Sequence, residues 1–257
     1  MPAAPEDLRA AVEQGLDELA LAPELGELAE ALRYVLEGRA KRIRPVLCLA
    51  VGEALGVDVE ECLPAALALE LVHTFSLVHD DLPALDDDDE RRGRPSAHVA
   101  YGEATALLAG DALLAEGFRL ALSYGTPAVA RELAEATLGM IGGQHRDVSG
   151  DRRDLESLHR LKTGCLFSAA VALPVQVAGV PPREQALWGA FGDELGPLFQ
   201  IVDDVLDGDG YVLTHGVESA RALAAAAAGR AQARLDVLGA DTSVLEEIVD
   251  GLAVRTA

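Results

Sequence analysis

The stretch LALELVHTFSLVHDDLPALDDDDERRGRPSAH, from Leu67 to His98, carries the pattern from which the fold is read. Leu67, Leu71, Val72 and Phe75 fall at helical spacing and predict an apolar helix that continues to Val78. Directly behind it, seven of the eleven residues from Asp80 to Glu90 are acidic. Taken alone, such a run reads as a solvated face or a loop tip. Working outward, the same periodicity recurs at Leu28, Leu32, Val35 and Leu36, and again at Leu195, Leu198, Phe199, Val202 and Leu206. Alternating strand patterns are scarce. Breakers at Gly56, Pro95, Gly125-Thr126-Pro127, Gly150-Asp151, Pro181-Pro182 and Gly208-Asp209-Gly210 divide the chain into roughly eight to ten helices. The expected fold class is all-α, a helical bundle forming one domain over residues 1–257. No solenoid repeat, sustained heptad or flexible linker interrupts it, and the alanine tract from Ala222 to Ala228 reads as a good helix former weakened by Gly229.

A second acidic set changes the reading of the first. Asp203, Asp204 and Asp207 lie in FQIVDDVLD, inside an apolar helical stretch, and Asp203 and Asp207, four residues apart, share a helix face. Like charges so placed weaken an isolated helix by about 0.2–0.5 kcal/mol, and burying them unpaired costs far more. A positive group is therefore expected beside them. Hard divalent cations with oxygen ligands, above all Mg²⁺ shared with substrate phosphates, supply that charge. If the two acid clusters face each other across a cavity, they form the walls of a diphosphate site. A structural cation site is the alternative, although neither cluster has the alternating ligand loop of an EF-hand.

The basic residues point the same way. Of 21 Lys and Arg residues only two are lysines, Lys41 and Lys162. Lys41 stands in AKRIRP, where Arg42 and Arg44 offer forked donors to phosphate oxygens and the lysine a point charge. Lys162 stands in LKTG beside the hydroxyl of Thr163, and Arg91 and Arg92 follow the acid run directly. Each basic group alone is equally consistent with capping a helix end or answering its dipole.

Together these segments resemble the trans-isoprenyl diphosphate synthases, the polyprenyl synthetase family that includes farnesyl and geranylgeranyl diphosphate synthases. The likeness runs in order from about residue 30 to residue 207: AKRIRP resembles the family's GGKRxRP, DDLPALD its first aspartate-rich motif with two extra residues, and GGQHRD its GQxxD. LKTG and FQIVDDVLD complete the set. The resemblance implies an isoprenoid synthase bundle around a central active-site cavity, and Mg²⁺, three ions per site, held by Asp80, Asp81, Asp86, Asp203, Asp204 and Asp207. It implies isopentenyl diphosphate binding by Lys41, Arg44, His73 and Arg92. Arg91, Lys162, Thr163 and Gln200 would hold the allylic diphosphate, dimethylallyl or geranyl. The catalytic set would be Asp80, Asp81, Asp86, Lys162 and Asp203. Ionisation would leave an allylic cation, the isopentenyl double bond would attack it, and a proton would leave to the released diphosphate. Phe75, five positions before Asp80, would limit the product to farnesyl length, although a plain core phenylalanine reads equally well there. For His79 the reading is an ordinary polar residue near a helix end, and Gln144 and Asp147 either pair with neighbouring helices or contact the site. The family is commonly dimeric, so a homodimer is expected.

Two departures stand out. The family's GG before the lysine is Arg39-Ala40 here, which restricts that loop. The family also places a lysine-rich loop of some twenty residues between DDxxD and a Tyr, whereas here Asp207 is followed by Gly208-Asp209-Gly210 and then Tyr211. That shortening implies a lost phosphate clamp and part of a lid.

A net charge of −22 argues against a nucleic-acid backbone or an anionic membrane surface as the main partner. Cys165 to Val180, the longest weakly charged run, contains Pro174 and Gln176 and falls short of the ~18–20 apolar residues of a membrane span. Acids at the N-terminus predict no secretory or transit signal, and three cysteines without CxxC pairs suit a reducing compartment, the cytoplasm by default. Three other functions remain open: a geranylgeranyl or longer-chain synthase, a terpene cyclase, which has no use for a second diphosphate pocket, and a non-catalytic subunit of a heteromeric synthase.

Overall fold

The computed structural model describes residues 2–38, 40–150 and 154–254, so Arg39 of the Arg39-Ala40 departure and Asp151 of the Gly150-Asp151 breaker lie outside the described residues. It contains α1 (Pro5–Asp17), α2 (Leu28–Leu36), α3 (Ile43–Ala54), α4 (Val59–Asp80), α5 (Ala97–Tyr101), α6 (Glu103–Ala121) and α7 (Ala128–Val148). There follow α8 (Leu155–His159), a π-helical turn at Arg160–Gly164, α9 (Cys165–Val177), α10 (Pro182–Asp207), α11 (Tyr211–His215), α12 (Val217–Leu235) and α13 (Ser243–Val254). Three of these helices, α5, α8 and α11, have only five residues each, and the longer ones match the expected number. The only sheet among the described residues is a hairpin of β1 (Glu90–Arg91) and β2 (Arg94–Pro95), paired antiparallel. The fold class is all-α, as expected.

The acid run follows the central helix. α4 is apolar on nearly every face and packs on α3, α6 and α9, with Leu69, Leu71 and Val72 fully buried. Each such side chain contributes about 1.5–3 kcal/mol by leaving water. Among the described residues α4 is the one helix long and apolar enough to cross a membrane, but 67% of its most apolar window is buried inside the bundle. Of the run singled out from the sequence, Cys165 to Val180, all but the last three residues form α9, also buried for most of its length. α10 packs on α9 and α12, and α7 packs on α9 and the π turn. One contiguous apolar core runs through these helices.

Gly208 ends α10 at φ 71°, a conformation that suits glycine, and the start of α10 carries Pro182, where a missing N–H costs nothing. Pro64, Pro174 and Pro197 sit inside α4, α9 and α10 without ending them.

Candidate active site

α4 and α10 are the two longest helices, and both acid clusters sit at their C-terminal ends. The helix dipole is negative there, so a carboxylate at such an end is destabilised rather than stabilised. Asp80 closes α4 and Asp81 is its C-cap. The four residues that follow turn back, and the Asp86 N–H donates to the Asp80 carbonyl at 2.8 Å. The longer spacing of DDLPALD therefore still sets Asp86 beside Asp80. Burial is the main cause that lifts the Asp80 carboxyl to about 6, with Asp86 and Asp81 adding to it and Lys162 and Arg91 opposing. Burial likewise raises Asp81 and Asp203, each partly offset by its cation, Arg91 and Lys41 respectively.

Between these ends lie two adjoining cavities. The polar one, about 620 Å³, is lined by Lys41, Arg92, Asp88, Gln200, Asp203 and Asp207 among others. The second, about 560 Å³, is mostly apolar, with Phe75, Leu114, Met140, Ile141 and Leu166 on its wall and Asp80 and Lys162 at polar positions. Arg44, His73, Leu77 and Thr163 line both, so these four form the partition.

The partition is built from stacked and hydrogen-bonded groups. The Arg44 guanidinium lies 4.5 Å from the Phe167 ring centre and 5.6 Å from that of Phe199, a cation–π sandwich. Its Nη1 is 3.3 Å from His73 Nε2. Burial lowers Arg44 to about 10, and burial with the charge of Arg44 holds His73 well below the ordinary imidazole value. His73 is thus neutral and accepts from Arg44. Arg44 Nε is buried without a partner, a donor left for a ligand.

Other predicted residues are met in ion pairs that a substrate would rearrange. Arg91 is bonded to Asp81, and its Nη2 lies 3.2 Å from Asp88. Lys41 Nζ lies 3.8 Å from Asp203, with both side chains about half exposed. Lys162 Nζ donates to Asp147 at 2.6 Å. Asp147 thereby enters the site through its neighbour, the reading left open from GGQHRD. The Gln144 side chain lines the apolar cavity with neither amide atom hydrogen-bonded. His79 also lines that cavity, stacked edge-on against Phe75 at 4.9 Å and hydrogen-bonded to the Leu107 carbonyl at 3.0 Å.

Two residues of these motifs stand apart from their neighbours. Arg42 lines the polar cavity, but with its guanidinium committed to carboxylates. It is 3% exposed, bonded to Glu70 at 2.6 Å and Glu13 at 3.2 Å, and its φ of 48° turns the chain so that Arg44, two residues on, faces the cavities. Asp204 is set apart from Asp203 and Asp207: it is 8% exposed, lines neither cavity, and has both carboxylate oxygens engaged by Gln200 and Tyr211.

Sequence reasoning missed Glu70, Phe167 and Phe199, which hold the arginines, and the π turn that aims Lys162 and Thr163. That turn is squeezed between α7 and α10. A Cβ on Gly143 would lie 2.5 Å from Lys162 N, and one on Gly196 would lie 2.6 Å from Gly164 Cα, so only glycine fits at either position. GGQHRD held the one available signal.

The donor set fits Mg²⁺. Carboxylates gather at two negative helix ends, and one keeps its pKa lifted to about 6 even with Lys162 and Arg91 near it, which favours a further cation there. No three His, Cys, Asp or Glu side chains among the described residues close a metal cage by themselves. Mg²⁺ in general keeps several waters and takes one or two carboxylates together with substrate phosphates.

Comparison with known proteins agrees with these features. The sequence profile of the polyprenyl synthetase family matches residues 26–216. A geranylgeranyl diphosphate synthase of Cyanophora paradoxa is 42% identical over 193 residues, covering 69% of this chain and 64% of that protein. A farnesyl diphosphate synthase of Bacillus subtilis is 40% identical over 198 residues, covering 71% of this chain and 67% of its own. The chain thus spans about two thirds of the length of these relatives. Among solved structures, an FPP/GFPP synthase of Zymomonas mobilis superposes with a TM-score of 0.86 at 31% identity, covering 97% of each chain.

Proposed function

We propose that this chain, which belongs to the polyprenyl synthetase family, condenses isopentenyl diphosphate head-to-tail with an allylic diphosphate to give a short linear prenyl diphosphate, farnesyl diphosphate first. The observation that carries this reading is the pair of cavities with a common partition: one polar, with Lys41, Arg44, Arg91 and Arg92 set beside Asp203 and Asp207, and one mostly apolar, of about 560 Å³. A terpene cyclase has no use for the first of them.

In this reading Lys41, Arg44 and Arg92 hold the isopentenyl diphosphate in the polar cavity, and neutral His73 keeps Arg44 aimed. Arg91 and Lys162 meet the allylic diphosphate, whose tail fills the apolar cavity, and Thr163 stands beside it on the partition with Gln200 next to it. Asp80 and Asp86 on one side and Asp203 and Asp207 on the other would hold Mg²⁺, with Asp81 fixed by Arg91. When bound, the metal neutralises the diphosphate and so eases its departure from carbon. The apolar wall of Phe75, Leu114, Met140 and Leu166 keeps water from the tail and from the reacting carbon. No protein nucleophile is required.

Phe75, 7% exposed on that wall, supports a product no longer than C15. The relatives bear both farnesyl and geranylgeranyl names, so length rests on this residue. A homodimer belongs to the same proposal, supported by the apolar side chains that α6 and α7 leave exposed, Leu107, Leu108 and Leu138. A reducing, cytoplasmic setting is supported by three free cysteines.

The test is substitution of the two acid clusters. Asp80→Ala and Asp203→Ala each nearly abolish turnover while the circular dichroism melt stays cooperative. Retained turnover in both variants contradicts the reading.

A further inference from the structure

We propose that Asp204 is a positioning residue and not a metal ligand: it clasps the chain after α10 to Gln200 and through it fixes the hydroxyl of Thr163 on the partition. This inference rests on the function proposed above and assigns a role within the same site.

A backbone N–H and an amide NH₂ only donate hydrogen bonds. Asp204 Oδ2 accepts from the Tyr211 backbone N–H at 2.9 Å, and Oδ1 accepts from Gln200 Nε2 at 2.8 Å. The Gln200 amide must therefore turn its NH₂ to Asp204 and its carbonyl the other way. That carbonyl, Oε1, lies 3.1 Å from Thr163 Oγ1 and can only accept, so the Thr163 proton points at Gln200. Thr163 lines both cavities, and toward them its oxygen now presents lone pairs. Whatever meets it there must donate a hydrogen bond or carry positive charge. The sequence reading of Thr163 as a donor to phosphate is thus reversed by a carboxylate two hydrogen bonds away.

The clasp is also built into the backbone. The Asp204 carbonyl accepts from the N–H groups of Gly208 at 2.9 Å and Asp209 at 3.1 Å. Gly210 has φ 44° and passes so close that a Cβ there would lie 2.1 Å from Asp204 Oδ2. The Tyr211 ring then rests 6.2 Å from that of His159, the residue directly before the π turn that carries Lys162 and Thr163. Three residues between α10 and α11 therefore return the chain to the face where Thr163 stands. A metal at Asp204 would have to displace two good donors from a group 8% exposed, while Asp203 and Asp207 open on the cavity.

The experiment titrates Mn²⁺, with inorganic pyrophosphate present, into the purified wild type, Asp203→Asn and Asp204→Asn by calorimetry, and measures steady-state kinetics beside it. Asparagine at 204 keeps its size but can accept on one side only. If it keeps the Tyr211 bond, Gln200 must flip and the Thr163 proton must turn into the cavity. Metal affinity in Asp204→Asn is expected within about twofold of wild type, whereas kcat falls about 10- to 100-fold, the usual effect of losing a supporting hydrogen bond around a metal site. Asp203→Asn is expected to lose metal affinity by tenfold or more on the same scale. Adding Thr163→Val to Asp204→Asn is expected to cost little more, because the relay already fails.

Gly210→Ala, whose Cβ strikes Asp204 without touching a carboxylate of the cavity, serves as a second variant and is expected to show the same split. A loss of metal affinity in Asp204→Asn equal to that in Asp203→Asn overturns the proposal. Unchanged kcat, or fully additive effects with Thr163→Val, also overturns it. A wild type without turnover would instead sink the proposed function, and the titration would still separate Asp204 from Asp203.

Discussion

The Arg44 guanidinium and the His73 imidazole meet on the partition between two cavities, Nη1 3.3 Å from Nε2. Because the guanidinium can only donate, His73 must offer a bare nitrogen and remain neutral. Burial comes first among the causes, and the charges of Arg44 and Arg92 add to it, so the folded pKa of His73 lies well below 6.5.

That pairing gives a sign to acid sensitivity. Below the unfolded value of about 6.5 the unfolded chain takes up a proton at this position and the folded one does not, so stability present at neutral pH is lost as pH falls. The loss is at most about 1.4 kcal/mol per pH unit for this one group. Urea melts between pH 7.5 and 5.5 are expected to fall more steeply for the wild type than for His73→Gln. Equal slopes would contradict the neutral assignment.

Neighbouring residues in AKRIRP should behave oppositely. Arg42 and Glu70 are both almost fully buried, so Arg42→Met leaves a buried acid unpaired and is expected to cost about 3–5 kcal/mol in denaturant unfolding. Lys41 is about half exposed, and Lys41→Met is expected to change stability by no more than about 0.5 kcal/mol. Its effect should appear as a raised KM for isopentenyl diphosphate. Comparable stability losses in the two variants would dissolve the distinction.

Phe75→Ala is expected to lengthen the product beyond C15. The ring faces an existing cavity, so the stability cost should fall below the ~3–5 kcal/mol of a fully enclosed phenylalanine. Mass spectrometry of the products and a thermal melt decide both points. Unchanged chain length at normal turnover removes Phe75 as the limit.

Metal binding should carry the signature of Asp80. Its folded pKa is raised to about 6, and the metal needs the carboxylate, so affinity is fully present above pH 6 and is lost as pH falls through it. Calorimetric titration of Mg²⁺ with pyrophosphate is expected to weaken about tenfold per pH unit below that point. A profile flat from pH 7.5 to 5 would argue that Asp80 does not bind metal.

What the sequence disclosed follows from the range of its signals. Helical periodicity announced α4 and α10, and acids at the ends of apolar stretches announced the two helix termini, because both signals are local. The division of labour between Arg42 and Arg44 was hidden, since it depends on Glu13 and Glu70, which lie far off in sequence. The π turn was equally hidden, because it requires Gly143 and Gly196 to press on it from two other helices. Asp204 reads like Asp203 in a string of letters. What separates them is the direction in which each points and the turn at Gly210 that closes over one of them.

The most direct measurement is incubation of the purified protein with isopentenyl diphosphate and, in turn, dimethylallyl, geranyl or farnesyl diphosphate, with and without Mg²⁺, with products identified by mass spectrometry. A linear C15 diphosphate formed from the dimethylallyl or geranyl substrate only when Mg²⁺ is present is the predicted result. No product from any pair, or a cyclic hydrocarbon formed without isopentenyl diphosphate, would contradict the account.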